Sequence, residues 1–240
     1  MPPPESSHFR SAPSVIVRSA VEQRLGERTR FRVEVFARQN ESRFDLYTVQ
    51  LMPPQRPLLM PVARAAVFGR DYSRGVQVLL QRRSENRLSG WIGYTYTRAQ
   101  FRRYQVALPP PLTSVGFDQP YGPTEQDQPH TLNLFGSYRL TPSIRLSAKA
   151  LYGSGFPVVL GFPGTTSQRI GPYERLDLRG EKSWTFNRWK LSLYTELLNV
   201  TAHDNRRFST FSFDPVSHKP ILFTNPGFPF IPTAGLGFDF

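Results

Sequence analysis

The stretch His130–Tyr152, HTLNLFGSYRL followed by TPS and IRLSAKALY, alternates apolar and polar residues through two runs separated by three turn formers. Successive side chains of a strand point to opposite sides. Leu132, Leu134, Tyr138 and Leu140 therefore share one face, with Thr131, Asn133, Ser137 and Arg139 on the other. After Thr141-Pro142-Ser143 the pattern resumes, with Ile144, Leu146, Ala148, Ala150 and Tyr152 set against Arg145, Ser147 and Lys149. The spacing predicts two long strands joined by a short turn.

The same unit recurs on both sides. From Tyr173 to Val200, Leu176, Leu178, Trp184 and Phe186 oppose Tyr173, Arg175, Asp177, Arg179, Glu181 and Ser183. After Asn187-Arg188 the returning run sets Trp189, Leu191, Leu193 and Leu197 against Lys190, Ser192, Tyr194 and Glu196. Upstream, Gly75–Arg83 and Leu88–Arg102 form a third hairpin around Glu85-Asn86-Arg87, and Ser14–Leu25 and Thr29–Arg38 a fourth around Gly26-Glu27-Arg28. A single run, Pro232–Phe240, closes the chain, with Leu236, Phe238 and Phe240 alternating with Gly235, Gly237 and Asp239. Between the hairpins lie connections over 41–73, 103–128, 155–172 and 201–231, which hold most of the prolines and are long for a compact soluble domain. Short turns at one end and long loops at the other describe an up-and-down meander of about nine strands.

Composition narrows the class. The 240 residues contain no cysteine, which excludes disulfide scaffolds, thiolate zinc sites and a cysteine nucleophile. A mean hydropathy of −0.40 accompanies the absence of any run near the roughly 20 apolar residues of a membrane-spanning helix. The net charge of +12 would suit nucleic acid. The arginines, however, are spread along strands and loops rather than gathered in patches, so no nucleic-acid partner is expected. The start, MPPPESSHFR, lacks the features of an export signal; residues 1–12 are expected to be loop or disordered.

A bilayer suits this pattern better than water. Runs of 10 to 14 residues are what a tilted strand needs to cross hydrocarbon. Trp184, Phe186, Trp189, Phe238 and Phe240 fall near strand ends on the apolar face, as an interfacial girdle would. Arg175, Asp177, Arg179 and Glu181 form an alternating-sign row suited to a wet lumen. Lys182 breaks the apolar face, close enough to a short turn to reach the interface. The expected fold is all-β: an antiparallel up-and-down transmembrane β-barrel. It is partial, because bacterial barrels have even strand numbers and about nine strands would belong to a larger barrel. Residues 1–240 would then be its C-terminal portion, with no plug domain, in the bacterial outer membrane. A soluble β-rich sandwich remains the competing architecture.

Several segments resemble the C-terminal barrel of TonB-dependent receptors: Arg74–Arg83 with Leu88–Tyr96, Asp127–Leu134, Tyr152–Pro157, Tyr173–Arg179 and Leu191–Thr201, in that order up to Phe240. The resemblance implies a 22-stranded barrel when whole, an N-terminal plug, and ligand import energised by the TonB system through that plug, which this chain lacks. It also implies that the strand ending in Phe240 is read by the barrel-assembly machinery. Membrane lipids and lipopolysaccharide would be the other partners. A passive porin-like barrel and an adhesive or structural barrel are the alternatives, followed by a soluble β-rich enzyme or basic binding module.

Chemistry is sparse. His8, His130, His203 and His218 lack metal-ligand spacing. Asp177 and Glu181 would lie about 13 Å apart along a strand, too far to cooperate as acid and base. Gly153-Ser154-Gly155 and Gly161–Gly164 lack the lysine and helix of a phosphate loop and read as flexible turns. Phe208, Phe211, Phe213, Phe223, Phe228 and Phe230 are expected to pack the last loop on itself. No enzyme activity, cofactor or metal is expected, and no residue is assigned to substrate.

Overall fold

The computed structural model describes residues 13–47, 64–83, 87–107, 115–116, 120–158, 168–213, 220–225 and 227–240. Their strands are β1 (Ser14–Leu25), β2 (Thr29–Tyr47), β3 (Arg64–Arg82), β4 (Leu88–Ala107), β5 (Val115–Gly116), β6 (Gly122–Pro123) and β7 (His130–Arg139). There follow β8 (Ile144–Gly153), β9 (Tyr173–Thr185), β10 (Lys190–Leu198), β11 (Arg207–Phe213), β12 (Pro220–Asn225) and β13 (Ile231–Asp239). Nine form one antiparallel path, β1-β2-β3-β4-β7-β8-β9-β10-β13, with β5 and β6 paired to β4 and β11-β12 a separate hairpin. Among the described residues no helix is long and apolar enough to cross a membrane.

Turn chemistry places the short connections at one end. Gly26 takes φ +74°, open to glycine without strain, and lets β1 reverse into β2. The Thr141 hydroxyl accepts from the amides of Ser143 and Ile144 at 3.3 and 3.0 Å, a side-chain turn between β7 and β8. At the β9–β10 turn the Phe186 amide donates to the Trp189 carbonyl at 2.8 Å, and the two rings stack 3.9 Å apart.

Register follows the alternation. Leu132 faces Tyr152, Leu134 faces Ala150 and Tyr138 faces Leu146 across β7–β8, and Ala148 faces Leu178 across β8–β9. The connections read as 41–73 and 103–128 are partly strand, since β2 runs on to Tyr47, β3 starts at Arg64 and β4 reaches Ala107. Here polar residues such as Gln39, Glu41 and Arg70 enter the face that is apolar lower down, so period-two hydrophobicity is interrupted while backbone pairing continues. Side chains add bonds of their own, Asn40 to Asp71 at 2.7 Å and Arg70 to Glu41 at 2.9 Å. The connection 201–231 likewise contains the β11–β12 hairpin.

The first and ninth strands of an antiparallel path run in the same direction, so β1 and β13 cannot pair antiparallel with each other. Among the described residues the sheet is open at both edges. It also lacks a conventional core: the only buried apolar side chains among the described residues are Pro157, Val158 and Tyr173.

Candidate functional site

The sheet has two chemically different faces. Leu88, Ile92, Tyr94 and Tyr96 of β4 align with the apolar series of β7 and β8, and Val76, Val78 and Leu80 of β3 continue it. Beyond them lie Phe31, Val33 and Val35 of β2 and Val17 and Val21 of β1. On the other side Leu191 and Leu193 join β9 to Phe238 and Leu236 of β13. Among the described residues nothing packs over this face: Val21 is 73% exposed and Leu236 62%. Leaving a side chain of that size in water forgoes roughly 1.5–3 kcal/mol.

Two aromatic rows bound the apolar face. Toward the long loops, Tyr96 lies opposite His130, and the Tyr94 hydroxyl bonds His130 Nδ1 at 2.8 Å. Tyr152 continues this row on β8. Toward the short turns lie Tyr138, Trp184, Phe186, Trp189 and Phe238, with Trp184 and Phe238 both paired to Leu191. His130 and Tyr138 are eight residues apart, about 27 Å along a strand, or about 21 Å of height at a tilt near 40°. That approaches the roughly 25 Å apolar band of outer-membrane barrels. Lys182 sits on this face with its ammonium 5.0 Å from the Trp184 ring centre, a cation–π contact at the edge of the band.

The opposite face is an ionic lattice. Arg175 Nε meets Asp177 at 2.7 Å, and Arg179 reaches Glu196 on β10 at 2.8 Å and Glu181 at 3.2 Å. The row of alternating sign read from sequence is thus neutralised along and across strands. Arg179 also stacks 4.2 Å from the Tyr194 ring, which lies so closely over Gly235 that an added Cβ would strike it. Asn199, 0% exposed and at φ +52°, closes the lattice. Its amide N–H donates to Asp177 at 2.9 Å, and its side chain donates to the Phe228 carbonyl at 2.7 Å and the His203 carbonyl at 3.1 Å.

At the long-loop end a clasp joins two connections to β4. The Asp127 carboxylate, 3% exposed as a residue, accepts from the Ala99 amide at 2.7 Å and pairs with Arg169. Arg169 donates in addition to the carbonyls of Asp127 at 2.7 Å and Gly155 at 3.0 Å. Gly153-Ser154-Gly155, expected as a flexible turn, is here a close approach: a Cβ on Gly155 would collide with the Ile170 carbonyl oxygen. Gly155→Ala is expected to cost about 1–3 kcal/mol through forced displacement. The check is hydrogen exchange at Ile170, whose amide bonds Phe156 O at 2.9 Å and should exchange at least about tenfold faster.

Near the short turns, an open depression of about 450 Å³ on the polar face gathers Arg83, Arg87, Arg139 and Arg145 around the stacked Trp91 and Phe135. Arg83 and Arg87 come from the β3–β4 turn and Arg139 and Arg145 from the β7–β8 hairpin; the two pairs meet only through the register of β4 against β7, which hid the grouping. The clasp was equally hidden, because Asp127 and Arg169 belong to two different connections.

His203 holds the Pro172 carbonyl at 3.1 Å, and His130 belongs to the aromatic row. His8, His218 and Gly161–Gly164 lie outside the described residues. No group of three or more His, Asp or Glu side chains suited to a metal occurs among the described residues. Phe228 packs under Arg175 at 4.1 Å, while Phe230 is exposed; the side chains of Phe208, Phe211, Phe213 and Phe223 lie outside the described set.

Fold and site together define an open antiparallel sheet with one apolar and one ionic face. Compared with protein-family models, curated proteins and solved structures, the chain matches none.

Proposed function

We propose that this chain is part of the wall of a bacterial outer-membrane β-barrel, a TonB-dependent receptor in its whole form, that takes up a ligand rather than catalysing a reaction. The observation carrying the reading is the uncovered apolar face bounded by two aromatic rows, which hydrocarbon satisfies and water does not. Strand parity supports the rest. Nine strands need an odd number of further strands to close, and each unsatisfied backbone group at a bare edge costs several kcal/mol in lipid. The strand ending in Phe240 would serve the barrel-assembly machinery, and a plug outside this chain would meet the TonB system. Receptor-type import rests on the resemblance of the hairpin segments rather than on any assigned ligand residue.

The three tryptophans supply the test. Trp184 lies on the apolar face, Trp189 at the short turn, and Trp91 on the polar face stacked with Phe135. In versions of the full chain retaining one tryptophan each and folded into vesicles, brominated acyl chains should quench Trp184 strongly and Trp91 weakly. Equal quenching, or failure to enter vesicles, would sink the membrane reading. Steady conductance steps from the chain alone in a planar bilayer would favour the passive channel instead.

A further inference from the structure

Immediately beyond the upper aromatic row, the apolar face turns abruptly cationic. Register sets Arg74 opposite Arg98 and Arg70 opposite Arg102, two like-charge pairs directly across β3–β4, with Tyr72 opposite Gln100 between them. Like charges in direct opposition destabilise a sheet unless an anion joins them. Glu41 meets Arg70 at 2.9 Å, but neither Arg74 nor Arg98 has a carboxylate partner among the described residues, and both are exposed.

Neutral groups hold the cluster outward. Arg74 lies 4.5 Å from the Tyr72 ring centre and Arg102 5.0 Å from that of Tyr121. With the Gln100 amide oriented so that its nitrogen donates to the Tyr72 hydroxyl, its oxygen accepts from Arg98 at 3.0 and 3.1 Å. Arg102 Nε is buried with no acceptor in reach among the described residues. Next to Arg74 an open depression of about 480 Å³ runs between Val15, Val17, Ala37 and Tyr72, so an apolar surface adjoins the charges.

Resting on the membrane reading above, we propose that Arg74 and Arg98, flanked by Arg70 and Arg102, bind the phosphate of an anionic lipid headgroup in the leaflet on the long-loop side. The lipid's acyl chain would lie against Val15, Val17 and Ala37. Guanidinium pairs suit phosphate because their fork offers several charge-assisted donors. A lipid rather than a soluble phosphate is indicated by position: the cluster sits on the lipid-facing side, continuous with the apolar band, not on the ionic face.

The full chain would first be tested for entry into pure phosphatidylcholine vesicles by protease protection, which reads the membrane assignment alone. Fluorescent diphosphoryl lipid A would then be titrated into chain held in neutral detergent. Arg74→Gln with Arg98→Gln is expected to weaken binding at least about tenfold. Arg74→Lys with Arg98→Lys should keep part of the affinity. Arg24→Gln with Arg30→Gln, a matched opposed pair on the ionic face, should leave it unchanged. The proposal is overturned if the glutamine pair binds as the parent does, if the ionic-face pair loses as much, or if inorganic phosphate competes as well as the lipid. Failure to enter vesicles would remove the membrane reading, and this site with it.

Discussion

Ala148→Arg is expected to lower the stability of the vesicle-inserted chain by about 2–4 kcal/mol, roughly a thirtyfold to thousandfold shift in the folding equilibrium. Ala148 is exposed in the middle of β8 on the apolar face, with Gly136 and Leu178 across from it. It is four residues from Ile144 and four from Tyr152, about 13 Å from either end of the band, so an arginine there cannot bring its whole guanidinium to the interface. Asn133→Arg places the same charge on the ionic face of β7, between Gly93 and Leu151, and should stay within about 0.5 kcal/mol of the parent. Urea titrations of folding into vesicles measure both. A soluble sheet covered by another protein layer would also be destabilised by Ala148→Arg, so lipid length separates the cases. The penalty should shrink in shorter-chain lipid, where the midplane lies nearer water, and a penalty independent of lipid would contradict the membrane reading.

How much of this was legible depended on whether the signal was local. The hairpins at β7–β8 and β9–β10 followed from alternation, because each pair has one apolar and one polar face and a turn whose residues announce it. The order of the nine strands followed because consecutive strands pair in a meander. The upper halves of β2 and β3 and the last five residues of β4 did not show. In β2 and β3, Gln39, Glu41, Arg70 and Arg74 occupy the face that is apolar lower down, and the hydrophobic period goes silent although the backbone ladder continues. The opposed arginines were invisible for a related reason: Arg74 and Arg98 become neighbours only once register is known. Lys182 was legible as an exception, but its contact with Trp184 needed side-chain geometry. Gly155 misled, since glycine in a loop signals freedom and close approach equally well, and only the Ile170 carbonyl distinguishes them.

Asn199 provides the second large effect, with an order of variants opposite to simple shape. Aspartate is the nearest match in size, yet Asn199→Asp is expected to be the worst replacement, costing about 3–5 kcal/mol. The side chain donates to the carbonyls of Phe228 and His203, while its own amide N–H donates to Asp177. A carboxylate there would face two acceptors, close to a second carboxylate, in a fully buried position. Asn199→Gly removes both side-chain donations and the acceptor of the part-buried Thr201 hydroxyl, but accepts φ +52° freely, and should cost only about 1–2 kcal/mol. Asn199→Ala adds the left-handed penalty of about 1 kcal/mol and should fall between them. Acid is expected to narrow the gap between the aspartate and glycine variants, because a protonated carboxyl regains one donor and loses its charge. Urea midpoints at two pH values read this directly. If aspartate proved as mild as glycine at neutral pH, Asn199 would not be acting as the donor that ties the end of β10 to the approach to β13.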